Sequence, residues 1–305
     1  MIAHIVLDIV APIFVLMGVG VLMDRLFRLD LPTLSKLNFH VFVPALVFVK
    51  LLDSRLDARL IHAVTAFNLI HLLALWGLAH AVFSLPKFRR ERSVLTLATL
   101  FNNSGNYGLP FAQMAFGAFG VEIMALILIF QNVASFSLGL WLIAGGRSTW
   151  RQQLRDVLTA PALWAVALAL PLNAGRVPLP PCALFPLQQL GAALIPVALM
   201  TLGAQLSRTS WAGQFAPLSA VTVARLIVAP LVAVALVRAW QLVFPGQLAA
   251  AAPILICAAS LPVAVNVYIL AMEYDHQPEL ASRMVFWTTL LSAVTLTVWL
   301  AVCMA

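Results

Sequence analysis

The chain has 305 residues, of which 63% are hydrophobic and 10% charged, and its mean hydropathy is +1.00. No soluble domain hides that much apolar surface, so composition alone places the chain in a bilayer. The net charge of +7 does not point to nucleic acid, because the basic residues stand singly between apolar runs.

In chain order, apolar stretches of about 18 or more residues predict ten membrane-spanning helices. They cover 5–23, 34–52, 61–83, 94–116, 123–144, 157–172, 187–206, 215–240, 248–272 and 284–303. The first has no basic start and no small-residue cleavage pattern, and is expected to be a retained span rather than a signal peptide. The separators are short and rich in turn residues, and none is long enough for a soluble domain. Lys and Arg counted over alternate loops divide twelve to five. The richer set includes Arg25, Arg28, Arg90, Arg147, Arg208 and Arg283, the poorer Lys50, Arg55 and Arg176. The richer side is expected to be cytoplasmic, with both termini outside the membrane of a bacterial cell.

Polar residues inside these spans are few. The first span carries Asp8 and the second Asn38, six residues before Pro44. His62, His71 and His80 recur on the third span at nine-residue spacing, so successive members point to opposite faces and form no metal site. His71 is deep enough to serve a proton path or to be a bonded core residue. Gln131 and Asn132 in the fifth span are expected to tie helices together. Arg225 in the eighth requires a carboxylate, a carbonyl cluster or water. It would either balance a substrate's charge or bond helix-end carbonyls. Cys182, Cys257 and Cys303 are odd in number and far apart in sequence, so neither a disulfide framework nor a metal or cofactor site is expected.

The fourth span holds the most informative segment, Phe101-Asn-Asn-Ser-Gly-Asn-Tyr-Gly-Leu-Pro110. Hydrocarbon tolerates a backbone break only where it faces protein or a water-filled cavity, and such breaks mark transporter substrate sites. Asn102, Asn103, Ser104 and Asn106 would donate to an anion, with Tyr107 a further candidate. Gly105 and Gly108 would allow close approach, and Pro110 would leave a carbonyl free. Leu109-Pro110 is repeated as Leu261-Pro262, 152 residues later, and Pro44 and Pro196 share that offset. Five spans repeated once must enter the membrane from opposite sides. The expectation is therefore an all-α membrane protein of two inverted repeats, 1–150 and 151–305, with crossed, broken fourth and ninth helices.

The segment Asn103-Ser-Gly-Asn-Tyr-Gly-Leu-Pro110 resembles the signature of the auxin efflux carrier family. Ala271-Met-Glu-Tyr-Asp275, Ala198-Leu-Met-Thr-Leu-Gly203 and Arg225-Leu-Ile-Val-Ala-Pro230 are similar to other parts of it. The resemblance covers essentially the whole chain. It implies a secondary transporter of organic anions, in a family that includes plant auxin exporters and microbial malonate and malate carriers. It further implies a scaffold of spans 1, 2, 6 and 7, an elevator-like transport domain of spans 3–5 and 8–10, and a homodimer. Asn103 matches a substrate-contacting asparagine. The chain lacks the long loop of the plant carriers after span five, and has Val267, preceded by Asn266, where plant members place a second proline.

The expected function is carriage of a small carboxylate, driven by protons or membrane potential. Asn102, Asn103, Ser104, Asn106, Tyr107, Pro110, Pro262, Asn266 and Asn38 are the binding candidates, and Arg225, Asp8 and His71 the coupling candidates. The alternative is a sodium-coupled symporter of the bile-acid type, although no acidic residue stands beside either break. Paired carboxylates, a nucleophile with its base, and a phosphate-binding Gly-x-x-x-x-Gly-Lys loop are absent from the sequence, which excludes the common enzyme and ATPase constellations.

Overall fold

The computed structural model describes all residues except 1, 55, 146–148, 150, 152–153, 156–157, 210–212 and 305. The loop charges Arg55 and Arg147 and the expected start of the sixth span at Val157 lie outside the described residues. Among the described residues the regular elements are helices. We number them α1 (Ile2–Phe27), α2 (Leu31–Leu52), α3 (Ala58–Phe83), α4 (Arg92–Leu100), α5 (Ser104–Ile143) and α6 (Pro161–Ala174). Then follow α7 (Pro181–Ser207), α8 (Phe215–Val243), α9 (Ala252–Ala259), α10 (Val265–Glu273) and α11 (Pro278–Met304). Seven of these, α1, α2, α3, α5, α7, α8 and α11, are long and apolar enough to cross a bilayer unaided.

The 40 residues of α5 would extend about 60 Å as one straight helix, twice the thickness of a hydrocarbon core. Instead the chain folds back at Gly117, whose φ of 63° and ψ of −147° only glycine adopts freely. A Cβ on Gly120 would meet the Ala112 carbonyl oxygen, one on Gly108 the Met124 sulfur, and one on Gly105 the Leu128 side chain. These pairings share one centre, so the arms 104–116 and 118–143 run antiparallel. The fourth and fifth expected spans are thus a hairpin with almost no loop.

Prolines shape the helices without ending them. Pro12, Pro44, Pro110 and Pro230 each follow a turn widened to i→i+5 bonding, at Ile5–Val10, Asn38–Phe42, Ser104–Gly108 and Ala224–Val228. Proline lacks an N–H and its ring presses on the carbonyl four residues earlier, and a widened turn relieves both problems. A fifth widened turn, Ser135–Gly139, has no proline after it.

The most extensive helix contacts are α1 with α7, α2 with α7 and α2 with α6. Where α1 and α7 cross, a Cβ on Gly20 would fall on the Met200 carbonyl and one on Gly203 on the Met17 carbonyl. Small residues let two backbones touch where lipid offers no hydrophobic drive. Polar bonds fix the helix ends. Asp24 accepts from Ser207 at 2.6 Å and from Arg208 at 2.6 and 3.1 Å, which joins the carboxyl ends of α1 and α7. Asn173 at the end of α6 donates to the Leu52 and Ser54 carbonyls at the end of α2. Ser54 in turn donates to Glu122 beside the α5 hairpin tip, at 2.7 Å.

Gly20→Ala should lower the thermal unfolding midpoint of the detergent-purified protein, because forced overpacking costs about 1–3 kcal/mol. Gly18→Ala, where a Cβ meets nothing within 4 Å, is the matched control and should leave the midpoint unchanged or raise it. Equal midpoints for the two variants would show that the close crossing of α1 and α7 carries no energy.

Candidate functional site

Two breaks meet in the middle of the helical bundle. The first, at Phe101–Asn103, separates α4 from α5; the second, at 260–264, separates α9 from α10. In each the backbone is extended for two or three residues, and the two run antiparallel. Asn103 N–H donates to the Pro262 carbonyl at 2.9 Å and Ala264 N–H to the Phe101 carbonyl at 3.0 Å, a two-residue β-bridge centred on Asn102 and Val263. Each break thereby satisfies groups that the other exposes, which lipid could not do. The Val263 N–H donates to Thr288 Oγ1 at 3.1 Å.

Side chains complete the crossing. Asn102 Nδ2 donates to the Ala258 carbonyl at 3.2 Å, and its Oδ1 accepts from the Ser104 hydroxyl at 2.7 Å. Arg225, fully buried, donates to three carbonyls: Thr99 at 2.7 Å, Ala259 at 2.6 Å and Leu261 at 3.1 Å. These belong to the last turn of α4, the end of α9 and the second break.

On the other side of the bridge lies a cavity of about 120 Å³. Its lining includes Asn102, Asn103, Ser104, Gly105 and Asn106 from the first break and Ala264, Val265 and Asn266 from the second. Both amino-terminal first turns, those of α5 and α10, therefore border it. The second arm of α5 adds Gln131, Asn132 and Ser135, while Ser35 and Phe39 of α2 and Gln205 of α7 close the remaining wall. No Asp, Glu, Lys, Arg or His is among these lining residues. Asn103 Nδ2, Gln131 Oε1, Asn132 Nδ2, Ser135 Oγ and Gln205 Oε1 are buried without a protein partner. Five of the eight such atoms among the described residues thus belong to one cavity. Each costs about 1–3 kcal/mol while unpaired, the pattern of a surface built for a polar guest.

The cavity has an approach from one end. Ser35, Gln205, Val265 and Ile269 also line a larger hollow of about 420 Å³, which reaches Arg208, Thr209 and Ser282. Arg283 and Glu279 border its continuation. This end carries the basic loops. A separate hollow at the other end, lined by Lys50, Asp53, Gln113, Glu122 and Gln188, shares no residue with the cavity.

Of the candidates named from sequence, Asn102, Asn103, Ser104, Asn106 and Asn266 come together on the cavity wall. Pro262 sits behind it, its carbonyl in the bridge. Pro110 lies inside the α5 helix, buried and away from the lining, because the break falls upstream at 101–103. Tyr107 is fully buried, its hydroxyl accepting from Ser292 at 3.1 Å. Asn38 donates to Thr201 at 3.2 Å, linking α2 to α7. His71 Nε2–H donates to the Ala229 carbonyl at 2.9 Å. Asp8 is exposed and pairs with His4. Gln131, Asn132, Ser135, Ser35 and Gln205 were not among the binding candidates. Gln131, Asn132 and Ser135 follow a one-face spacing on α5 that marks them in retrospect.

The family described as membrane transport protein matches residues 5–300. The chain belongs to that family, the auxin efflux carriers. An uncharacterized transporter of Methanothermobacter thermautotrophicus is 28% identical over 296 residues, covering 94% of this chain and 92% of that protein. The carrier is therefore a multi-pass membrane protein and a transporter, not an enzyme.

Neighbouring asparagines in this carrier have different tasks. Asn102→Ala removes two buried hydrogen bonds and should lower stability in detergent by about 1–3 kcal/mol. Asn103→Ala removes an unpartnered amide nitrogen and should leave the unfolding midpoint unchanged or raise it. Thermal unfolding of both variants checks the contrast, and equal destabilisation would refute it.

Proposed function

We propose that this carrier moves a small organic anion, a carboxylate of the malonate, malate or auxin-like kind, through the cavity beside the crossed breaks. One observation carries the reading: two half-helix amino ends border a cavity lined by neutral amides and hydroxyls. A helix amino terminus carries about +0.5 charge and leaves up to four N–H groups without intrahelical partners. Two such ends favour an anion as a fixed cation would, yet no lysine or arginine need be desolvated. Amide nitrogens of Asn103 and Asn132 add donors in the same place.

The architecture we assign to it is ten spans in two inverted repeats, 1–150 and 151–305. Three features support this. The hairpin at Gly117 resolves α5 into two crossings, and the α4–α5 and α9–α10 breaks make matched interrupted spans. Of the three dominant helix contacts, α1 with α7 and α2 with α6 exchange when span 1 is mapped on 6 and span 2 on 7, and α2 with α7 maps onto itself. Spans 1, 2, 6 and 7 would then be the scaffold and the remaining six the moving transport domain. Ser54–Glu122 at one end and Thr209–Ser282 at the other join the two groups by single hydrogen bonds, which an elevator-like displacement would break in turn. With the basic loops taken as cytoplasmic, the approach through Arg208 and Ser282 would open to that side, with both termini opposite. Membrane potential or protons would drive the cycle.

Reconstituted into liposomes, the carrier should take up labelled malonate, malate or indole-acetate. Asn103→Ala should reduce the rate at least about tenfold, the equivalent of one lost charge-assisted hydrogen bond, without lowering its unfolding midpoint. Imposed potential, pH and sodium gradients identify the driving force; strict sodium dependence would favour the bile-acid type of mechanism. Undiminished uptake by Asn103→Ala would remove this cavity as the site.

A further inference from the structure

We propose that Arg225 is a built-in counter-cation, occupying the position where a free monovalent cation would otherwise sit between the carboxyl ends of the two broken helices. The inference rests on the anion reading above and deepens it, because it concerns what balances the site electrically. The argument begins with the partners. All three donors assigned to this side chain, Nε, Nη1 and Nη2, go to main-chain carbonyls, within 2.6–3.1 Å, and none goes to a carboxylate. Thr99 and Ala259 stand at the ends of α4 and α9, and Leu261 lies in the following break.

Carbonyls at helix carboxyl ends have no intrahelical donor and carry about −0.5 charge per helix. Two ends brought together sum to about −1, which one guanidinium neutralises. Without it, the crossing would present converging backbone oxygens in a low-dielectric interior. Unwound carbonyls and half-helix carboxyl ends of this kind hold sodium in other broken-helix transporters. Here the position is filled by a tethered cation with zero solvent exposure. The amino ends of α5 and α10, on the cavity side, keep their positive character for the guest. The two polarities of the crossing are thus separated: carboxyl ends to Arg225, amino ends to the substrate. A carrier so built needs no dissolved cation to assemble its anion site. Arg225 is not among the residues that line the cavity and is a positioning residue.

Its position is held from behind. Arg225 lies in the widened turn Ala224–Val228 of α8. The Leu226 carbonyl in that turn accepts from Trp299 at 3.0 Å, and the Ala229 carbonyl just after it from His71 at 2.9 Å. The turn is tied to both α11 and α3, which fixes where the guanidinium emerges.

The test removes the tether and supplies the cation. Arg225→Ala opens room beside the three carbonyls, Arg225→Met fills that room with a neutral chain, and Arg225→Lys keeps the charge. Each is purified in detergent with choline as the background cation, then titrated with guanidinium, sodium or potassium at millimolar concentration. Thermal unfolding is read first, since it requires no knowledge of the substrate. The unfolding midpoint of Arg225→Ala should rise by several degrees with guanidinium or sodium, while wild type and Arg225→Met stay flat. In liposomes, Arg225→Ala should lose transport by about tenfold or more and recover part of it in the same cation. Arg225→Lys should remain within about tenfold of wild type.

A folded Arg225→Ala protein indifferent to all three cations overturns the proposal, as does an Arg225→Met protein that matches wild type in midpoint and transport. Should Arg225→Ala fail to fold in any cation, Arg225→Lys decides: damage equal to Arg225→Met overturns the charge role. A cation-dependent midpoint together with no anion transport by wild type would support this inference and remove the anion reading instead.

Discussion

A peptide group inside hydrocarbon has no water to bond, so a broken helix there must find every partner within the protein. In this carrier the two breaks are each other's solution. The Asn103 N–H reaches Pro262 and the Ala264 N–H reaches Phe101, so neither break is stable unless the other lies across it. Local sequence chemistry at 101–103 and 260–264 is thereby converted into a long-range constraint between the two halves of the chain. Much of the remaining architecture follows from it. The hairpin at Gly117 places the second arm of α5 over the crossing, and the close approach of α1 to α7 brings Gln205 and, through α2, Ser35 to its open side.

The crossing also sorts electrical polarity. A continuous helix keeps its positive and negative ends at the two membrane surfaces, where water screens them. Breaking two helices brings four ends to the interior, and each must meet its complement there. The carboxyl ends meet Arg225, while the amino ends meet a cavity of amides without a charged side chain. Neutral donors suit a carrier because a buried lysine or arginine facing the guest would carry a large desolvation cost whenever the site emptied. Fixed dipoles need no such reorganisation between loaded and empty states.

Much of this was legible in the sequence because breaks in apolar spans are rare and chemically distinct. The Asn102–Asn106 stretch is the segment from which a polar cavity is expected, and Asn102, Asn103, Ser104, Asn106 and Asn266 line one. Proline is the conspicuous residue of the segment, yet Pro110 takes no part in the break. The widened turn Ser104–Gly108 absorbs it within the helix, and the actual break is the backbone at 101–103, seven to nine residues earlier. Tyr107 and Asn38 carry the right chemistry but spend it on Ser292 and Thr201, a matter of helix rotation that a single sequence does not encode. The wall made by Ser35 and Gln205 was beyond reach for another reason: the two lie 170 positions apart, and only the packing of α2 on α7 joins them. The apolar stretches of the sequence give ten spans, whereas seven helices are long and apolar enough to cross unaided: Gly117 leaves two arms within α5, α6 is short, and the second break divides α9 from α10.

The positional precision of the site therefore depends on residues that never touch a guest. His71 on α3 and Trp299 on α11 hold the widened turn of α8; that turn holds Arg225, and Arg225 holds the ends of α4 and α9. The bridge passes the same constraint to Asn103 and Val265, where the amino ends begin. Every member of this series belongs to the six spans proposed to move together. If they move as one body, the site travels with its geometry intact and only the boundary with α1, α2, α6 and α7 changes. That boundary is where the cavity wall passes to Ser35, Phe39 and Gln205, and where hydrogen bonds such as Thr209–Ser282 sit at the periphery. A rigid interior and a lightly bonded boundary are the conditions under which displacement alternates access while leaving the binding geometry unaltered.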